Sequence, residues 1–127
     1  MDDDEQWREK LTPEDYYICR DKGTEPPFSG AYCDNKREGA YRCKCCGEVL
    51  FRSETKFDSG SGWPSFDRPA SQEVIRYKQD ASLGMARTEV MCDKCGCHLG
   101  HMFDDGPRET TGKRYCVNSA SLIFDQD

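Results

Sequence analysis

The pattern C-x-x-C-G-x-x-L occurs twice in this chain. It reads Cys43-Lys44-Cys45-Cys46-Gly47-Glu48-Val49-Leu50 and then Cys92-Asp93-Lys94-Cys95-Gly96-Cys97-His98-Leu99, the second copy beginning 49 positions after the first. A two-residue spacer lets both sulfurs of a pair face one ion, and four thiolates form the closed tetrahedral set of a structural zinc site. Cys43, Cys46, Cys92 and Cys95 are therefore assigned as ligands of one Zn2+. Cys45 is the alternative to Cys46, since adjacent residues can hardly both face one ion, and Cys46 keeps the spacing of the repeat. A metal held by pairs so far apart closes a long loop and staples the fold. A redox C-x-x-C needs only one pair and a βαβ setting that is absent here, and buried inert thiols are the remaining reading.

Such a staple answers a compositional need. Of 127 residues, 33% are charged and 35% hydrophobic, and the second figure includes nine cysteines. The core is modest for one domain spanning residues 1–127. The net charge of −6 opposes nucleic-acid binding, because Lys36-Arg37 and Lys113-Arg114 are short basic runs among acids. The acidic start, Met1 to Glu5, has no basic and apolar regions of a secretory signal, and no stretch approaches the roughly 18 apolar residues of a membrane span. These features predict a cytoplasmic protein, where thiols stay reduced unless catalytic, transient or metal-bound. Nine cysteines is also an odd number, which rules out complete internal pairing.

Residues 1–6 read as a frayed acidic tail. Thr12-Pro13-Glu14-Asp15 predicts a helix start, with the helix running to about Asp21 and stopping at Gly23. An irregular arm follows, Glu25-Pro26-Pro27-Phe28-Ser29-Gly30. From Gly39 onward short β-leaning runs alternate with glycine-rich or polar turns. They are Tyr41 to Cys43, Val49 to Phe51, Val74 to Tyr77, Met85 to Met91 and Arg114 to Phe124. The expected fold is mainly β, with antiparallel sheets and few helices.

Read as a strand, Arg114-Tyr115-Cys116-Val117-Asn118 projects Arg114, Cys116 and Asn118 from one face. A permanent cation beside a thiol favours the reactive thiolate, and the amide can donate to an oxygen on a bound substrate. A small buried hydrophobe with polar neighbours fits the same pattern. His98 and His101, the chain's two histidines, follow the second cysteine pair and suit general acid work, because histidine titrates near neutral pH. Surface histidines, or a histidine-containing finger, are the alternatives. Trp63 sits in Gly60-Ser61-Gly62-Trp63-Pro64-Ser65-Phe66, where an indole can wall an apolar pocket or pack in the core.

Taken together these segments resemble the B-type methionine sulfoxide reductases, which act on the R epimer. The resemblance rests on Pro27-Phe28-Ser29-Gly30, both C-x-x-C-G pairs, Lys56-Phe57-Asp58-Ser59-Gly60 with Gly62-Trp63-Pro64-Ser65-Phe66, His98-Leu99-Gly100-His101-Met102-Phe103, Asp105-Gly106-Pro107 and Arg114-Tyr115-Cys116-Val117-Asn118-Ser119, over roughly residues 7–124. It implies two packed antiparallel sheets with short N-terminal helices, and a structural zinc on the four cysteines. It implies Cys116 as nucleophile and Trp63 against the substrate's S-methyl group. His98, His101 and Asn118 would surround the sulfoxide oxygen, with Arg114 near the thiol and Phe103 lining the substrate site. Thioredoxin would be the reductant, methionine (R)-sulfoxide in proteins or peptides the substrate, and the enzyme a monomer.

One departure stands out. Many members carry a resolving cysteine two residues before the pocket tryptophan, and here that residue is Ser61. Family members often have tryptophan where this chain has Cys33, so Cys33 is the expected resolving cysteine and Cys19 the next candidate. Direct reduction by a partner, with no internal resolver, is the third possibility. From a different class comes a rival, a zinc-stapled β module that binds without catalysis. It has no need of Arg114, Cys116, Asn118 and the two histidines.

Overall fold

The computed structural model describes residues 3–80 and 87–127. The chain is helical from Asp3, within the stretch that composition alone assigns to a frayed tail. In helix α1 (Asp3–Lys10) Trp7 is buried, its ring 5.4 Å from the Arg20 guanidinium, and the Arg8 guanidinium lies 4.6 Å over the Tyr16 ring. Thr12 then caps α2 (Pro13–Cys19) as expected, its hydroxyl accepting from the Asp15 N–H at 3.2 Å. This helix stops short of Asp21, because the Asp21 and Gly23 N–H groups turn back onto the carbonyls of Tyr16 and Tyr17. It buries Tyr16, Ile18 and Cys19.

Nine strands follow among the described residues: β1 (Gly39–Cys43), β2 (Val49–Arg52), β3 (Lys56–Phe57), β4 (Ser65–Phe66), β5 (Ile75–Asp80), β6 (Arg87–Cys92), β7 (His98–Phe103), β8 (Arg114–Val117) and β9 (Leu122–Gln126). They form two antiparallel sheets, one in the order β2-β1-β9 and one in the order β3-β4-β8-β7-β6-β5. The mainly-β fold with short N-terminal helices is as predicted. The predicted strand Met85 to Met91 is β6, apart from Met85 and Ala86, which lie outside the described residues.

Two local readings change. The run from Arg114 to Phe124 is two strands in different sheets, separated by a 3-10 turn at Ser119–Ser121. Asn118, Ser119 and Ser121 favour turns by bonding nearby backbone, and here the Ser121 hydroxyl donates to the His98 carbonyl at 2.7 Å. Strand β7 was hidden by its two histidines and Gly100, residues that weaken a strand pattern. Gly100 is there for space: a Cβ at that position would lie 1.9 Å from the Cys116 carbonyl oxygen.

The core lies where the sheets face each other, and its centre is aromatic. Phe51 of β2 stacks on Phe66 of β4 at 4.4 Å, while Tyr41 of β1 meets Phe66 edge-on at 5.1 Å. Phe51 also packs against Tyr115 of β8 at 5.9 Å. Tyr115 and Cys116 are neighbours on one strand, so the ring anchored in the core fixes the backbone that aims the thiol outward. Phe51 is fully buried. Phe51→Ala should therefore cost about 3–5 kcal/mol, seen as a lower urea midpoint at unchanged slope. A loss under about 1 kcal/mol would mean that the two sheets do not depend on this contact.

Candidate active site and metal centre

The two cysteine repeats fold into two matching turns. In each, the residue after the second cysteine is a glycine with positive φ, Gly47 at 82° and Gly96 at 79°, a conformation glycine adopts without cost. Each glycine N–H donates to the carbonyl of the first cysteine, Gly47 to Cys43 at 2.9 Å and Gly96 to Cys92 at 2.8 Å. The first turn closes the β1–β2 hairpin and the second closes β6–β7, so one lies in each sheet. They meet: Cys43 Sγ is 3.6 Å from Cys95 Sγ, and Cys46 Sγ is 3.6 Å from Cys92 Sγ. All four sulfurs lie within 4.8 Å of one another. Tetrahedral zinc with bonds of about 2.3 Å requires sulfurs about 3.8 Å apart, so the group fits such an ion. The tetra-cysteine set can hold a metal ion, and it includes Cys46 rather than Cys45.

Cys116 sits mid-way along β8, paired across the sheet with Ser65 of β4 and His101 of β7. Directly opposed residues share a face, so the thiol, a hydroxyl and an imidazole are grouped by register alone. Cys116 and His101 border a cavity of about 200 Å³ lined also by Ser61, Trp63, Phe103, Arg114 and Asn118. That is below the usual 300–1,000 Å³ of small-molecule pockets and suits a single side chain. The Trp63 indole N–H donates to the Glu25 carbonyl at 3.0 Å, which fixes the ring in the wall. Arg114 lies 4.5 Å over the Phe103 ring and donates to Asp105 at 2.9 Å.

Burial pushes the Cys116 thiol above its ordinary range, while Arg114 and the Ser61 hydroxyl pull the other way. The expectation that the cation makes a ready thiolate is thus corrected: Arg114 is placed to do so, and desolvation outweighs it. Asn118 has less freedom than the sequence implies. Its Oδ1 accepts from the Glu25 N–H and its Nδ2 donates to the Leu99 carbonyl, each at 3.0 Å, leaving one amide hydrogen for a ligand.

The two histidines divide. His101 lines the cavity, and its Nε2 donates to Asp80 at 2.8 Å. His98 is absent from the cavity lining, contrary to the expectation of two histidines around a substrate oxygen. It is buried, and its Nδ1 donates to the buried Glu89 at 2.8 Å. Burial lowers its pKa, so it is neutral at pH 7. The β6–β7 register slips at Leu99, where Val90 pairs with Gly100 and Met91 with His98. This bulge turns His98 toward the side of His101, and the rings meet edge-on at 5.8 Å.

A family model described as the SelR domain matches residues 11–126. The chain belongs to the SelR family of B-type methionine sulfoxide reductases. A curated relative from Cellvibrio japonicus, named peptide methionine sulfoxide reductase MsrB, is 60% identical over 95% of this chain and 86% of its own length. One of the same name from Teredinibacter turnerae is 58% identical over the whole chain and 93% of its own length. A third, from Leptospira interrogans, is 56% identical over 98% and 94% respectively.

Within this family framework the cysteine departure acquires a geometry. Ser61 touches Cys116. Cys33 lines a different cavity, with Lys36, Lys56 and Asp58 among its walls, and shares no lining residue with the Cys116 pocket. The Lys56 ammonium donates to the Cys33 carbonyl at 3.0 Å and holds that turn. Cys19, the last residue of α2, is fully buried. Glu25 was missed altogether. It lies in an arm that reads as irregular, yet its backbone holds Trp63 and Asn118 and its buried carboxylate accepts from the Ala120 N–H at 3.0 Å. A lone glutamate before two prolines carries no signal of such a role.

The thiol's environment can be read out directly. A raised pKa means that thiolate appears only as pH climbs. Alkylation of Cys116 by iodoacetamide should therefore keep accelerating past about pH 9, where an ordinary thiol of pKa about 8.5 is levelling off. Arg114→Ala should shift the profile further up. A plateau below pH 7 would show that the cation outweighs burial.

Proposed function

We propose that this protein, acting as a single cytoplasmic domain and a monomer, reduces methionine (R)-sulfoxide in proteins to methionine. The observation that carries the reading is the grouping of Cys116, His101, Arg114 and Asn118 around one small cavity walled by Trp63 and Phe103. Among the described residues the wall has no carboxylate to hold a free amino acid's ammonium group, and Arg114 already pairs with Asp105, which favours a protein-bound side chain over the free amino acid.

The chemistry follows from these groups. A sulfoxide sulfur is weakly electrophilic until its oxygen is hydrogen-bonded or protonated. The remaining Asn118 amide hydrogen and the Arg114 guanidinium suit that oxygen, and His101 is placed to deliver a proton directly or through water. The Cys116 thiolate attacks the sulfur, the S–O bond breaks, and the oxygen ends on Cys116 as a sulfenic acid while methionine leaves. His98, held by Glu89, is assigned a supporting role behind His101. Cys33 then condenses with the sulfenic acid, forming a disulfide and releasing water. Because Cα atoms must come within about 4.4–6.8 Å, the arm must move inward for that step. Thioredoxin reduces the disulfide by exchange. A zinc ion on Cys43, Cys46, Cys92 and Cys95 holds the two sheets in register and takes no part in the reaction.

With dithiothreitol as reductant, wild type should consume only the R epimer of a methionine sulfoxide peptide, and Cys116→Ser should consume neither. A folded, zinc-loaded sample that leaves both epimers untouched would replace this reading with the non-catalytic binding module. Cys33→Ser should lose at least about tenfold in thioredoxin-supported turnover while keeping dithiothreitol-supported turnover. An intramolecular Cys116 disulfide that still forms in that variant would remove Cys33 from the role.

A further inference from the structure

Three cysteines have no part in the site or its metal centre: Cys19, Cys45 and Cys97. They come from three separate places, the end of α2, the first cysteine turn and the residue before β7. All three are buried, and their sulfurs lie within 4.8 Å of one another. Each is exposed by 2% or less, so this is no surface coincidence of long side chains.

The group adjoins the tetra-cysteine centre. The Cys43 sulfur, a member of that centre, also neighbours the Cys45 and Cys97 sulfurs. We propose that Cys19, Cys45 and Cys97 form a second zinc site completed by Cys43 as a bridging thiolate, so that the protein holds a binuclear zinc cluster rather than one zinc. The two groups together hold seven cysteines, the number that two tetrahedra sharing one corner require. Binding releases the thiol protons to solvent and forms zinc–sulfur bonds with no change of oxidation state. The proposal rests on zinc occupying the first centre and extends it.

Two features favour metal over three neutral thiols. As neutral thiols, Cys19 and Cys97 make only the weak contacts of a thiol donor, Cys19 with the Ala120 carbonyl at 3.6 Å and the Ser121 hydroxyl at 3.9 Å, and Cys97 with the His98 carbonyl at 3.6 Å. The Arg20 guanidinium lies beside the Cys45 sulfur and donates to the Cys95 carbonyl at 3.0 Å. A permanent cation against that sulfur offsets the negative charge of a thiolate cluster, and neutral thiols need no such partner. The cluster would tie α2 to both cysteine turns.

Apoprotein reloaded anaerobically with excess zinc, desalted, and weighed by native mass spectrometry should carry two zinc ions per chain. Cys19→Ser and Cys97→Ser should each carry one. In the cadmium-113 form, two resonances coupled to each other are expected through Cys43. One zinc in wild type overturns the second site and leaves the first standing, as does one zinc with a disulfide among Cys19, Cys45 and Cys97. No zinc at all overturns both. Two uncoupled cadmium resonances overturn the bridge.

Discussion

Everything in this fold hangs on the meeting of two hairpin turns. The turn of β1–β2 belongs to the three-stranded sheet and the turn of β6–β7 to the six-stranded sheet, and their four cysteine sulfurs converge within 4.8 Å. Thiolates brought so close repel one another unless a cation lies between them. The same turns carry Cys45 and Cys97, which meet Cys19 from α2. A chain with so few apolar residues thus concentrates its cross-sheet restraint at one polar point, and fills the opposite part of the interface with the rings of Tyr41, Phe51, Phe66 and Tyr115.

The site inherits its precision from that frame. The second cysteine turn leads straight into β7, so His98 and His101 are placed by the same turn that places Cys95. Strand β8 lies between β7 and β4, and its register sets His101 and Ser65 on either side of Cys116. The close approach at Gly100 is what allows β7 and β8 to pair there. From the other side, Glu25 fastens the N-terminal arm to Trp63 and Asn118. The same arm carries Cys33, which lines a separate cavity.

Electrostatics inside the pocket run against the simplest expectation. Arg114 faces Cys116, but the strand that aims the thiol also buries it, and desolvation raises the cost of the thiolate. Resting protein therefore keeps the sulfur mostly protonated at neutral pH. Sulfoxide reduction consumes a proton at the oxygen, and a thiol that retains its own proton until substrate arrives does not conflict with that demand.

Residue spacing alone pointed to the tetra-cysteine group and to the β class, because each is a local pattern, whereas Cys116 was singled out as nucleophile only through the family resemblance. A C-x-x-C-G turn, a strand alternating Arg114, Cys116 and Asn118, and a capped helix at Thr12 are all written within a few residues. The helix at Asp3, with Trp7 buried against the core, and the break at Ser119–Ser121 were only partly legible there, since each depends on a contact made elsewhere in the chain. Only the tertiary structure decided that His98 meets Glu89 and stays out of the cavity lining, because a single bulge at Leu99 changes which face a strand residue presents and brings His98 to the side of Glu89 and His101. It alone showed Glu25 at the pocket and the convergence of Cys19, Cys45 and Cys97. Those residues lie far apart in sequence, and no periodicity records a meeting that depends on how two sheets and a helix pack.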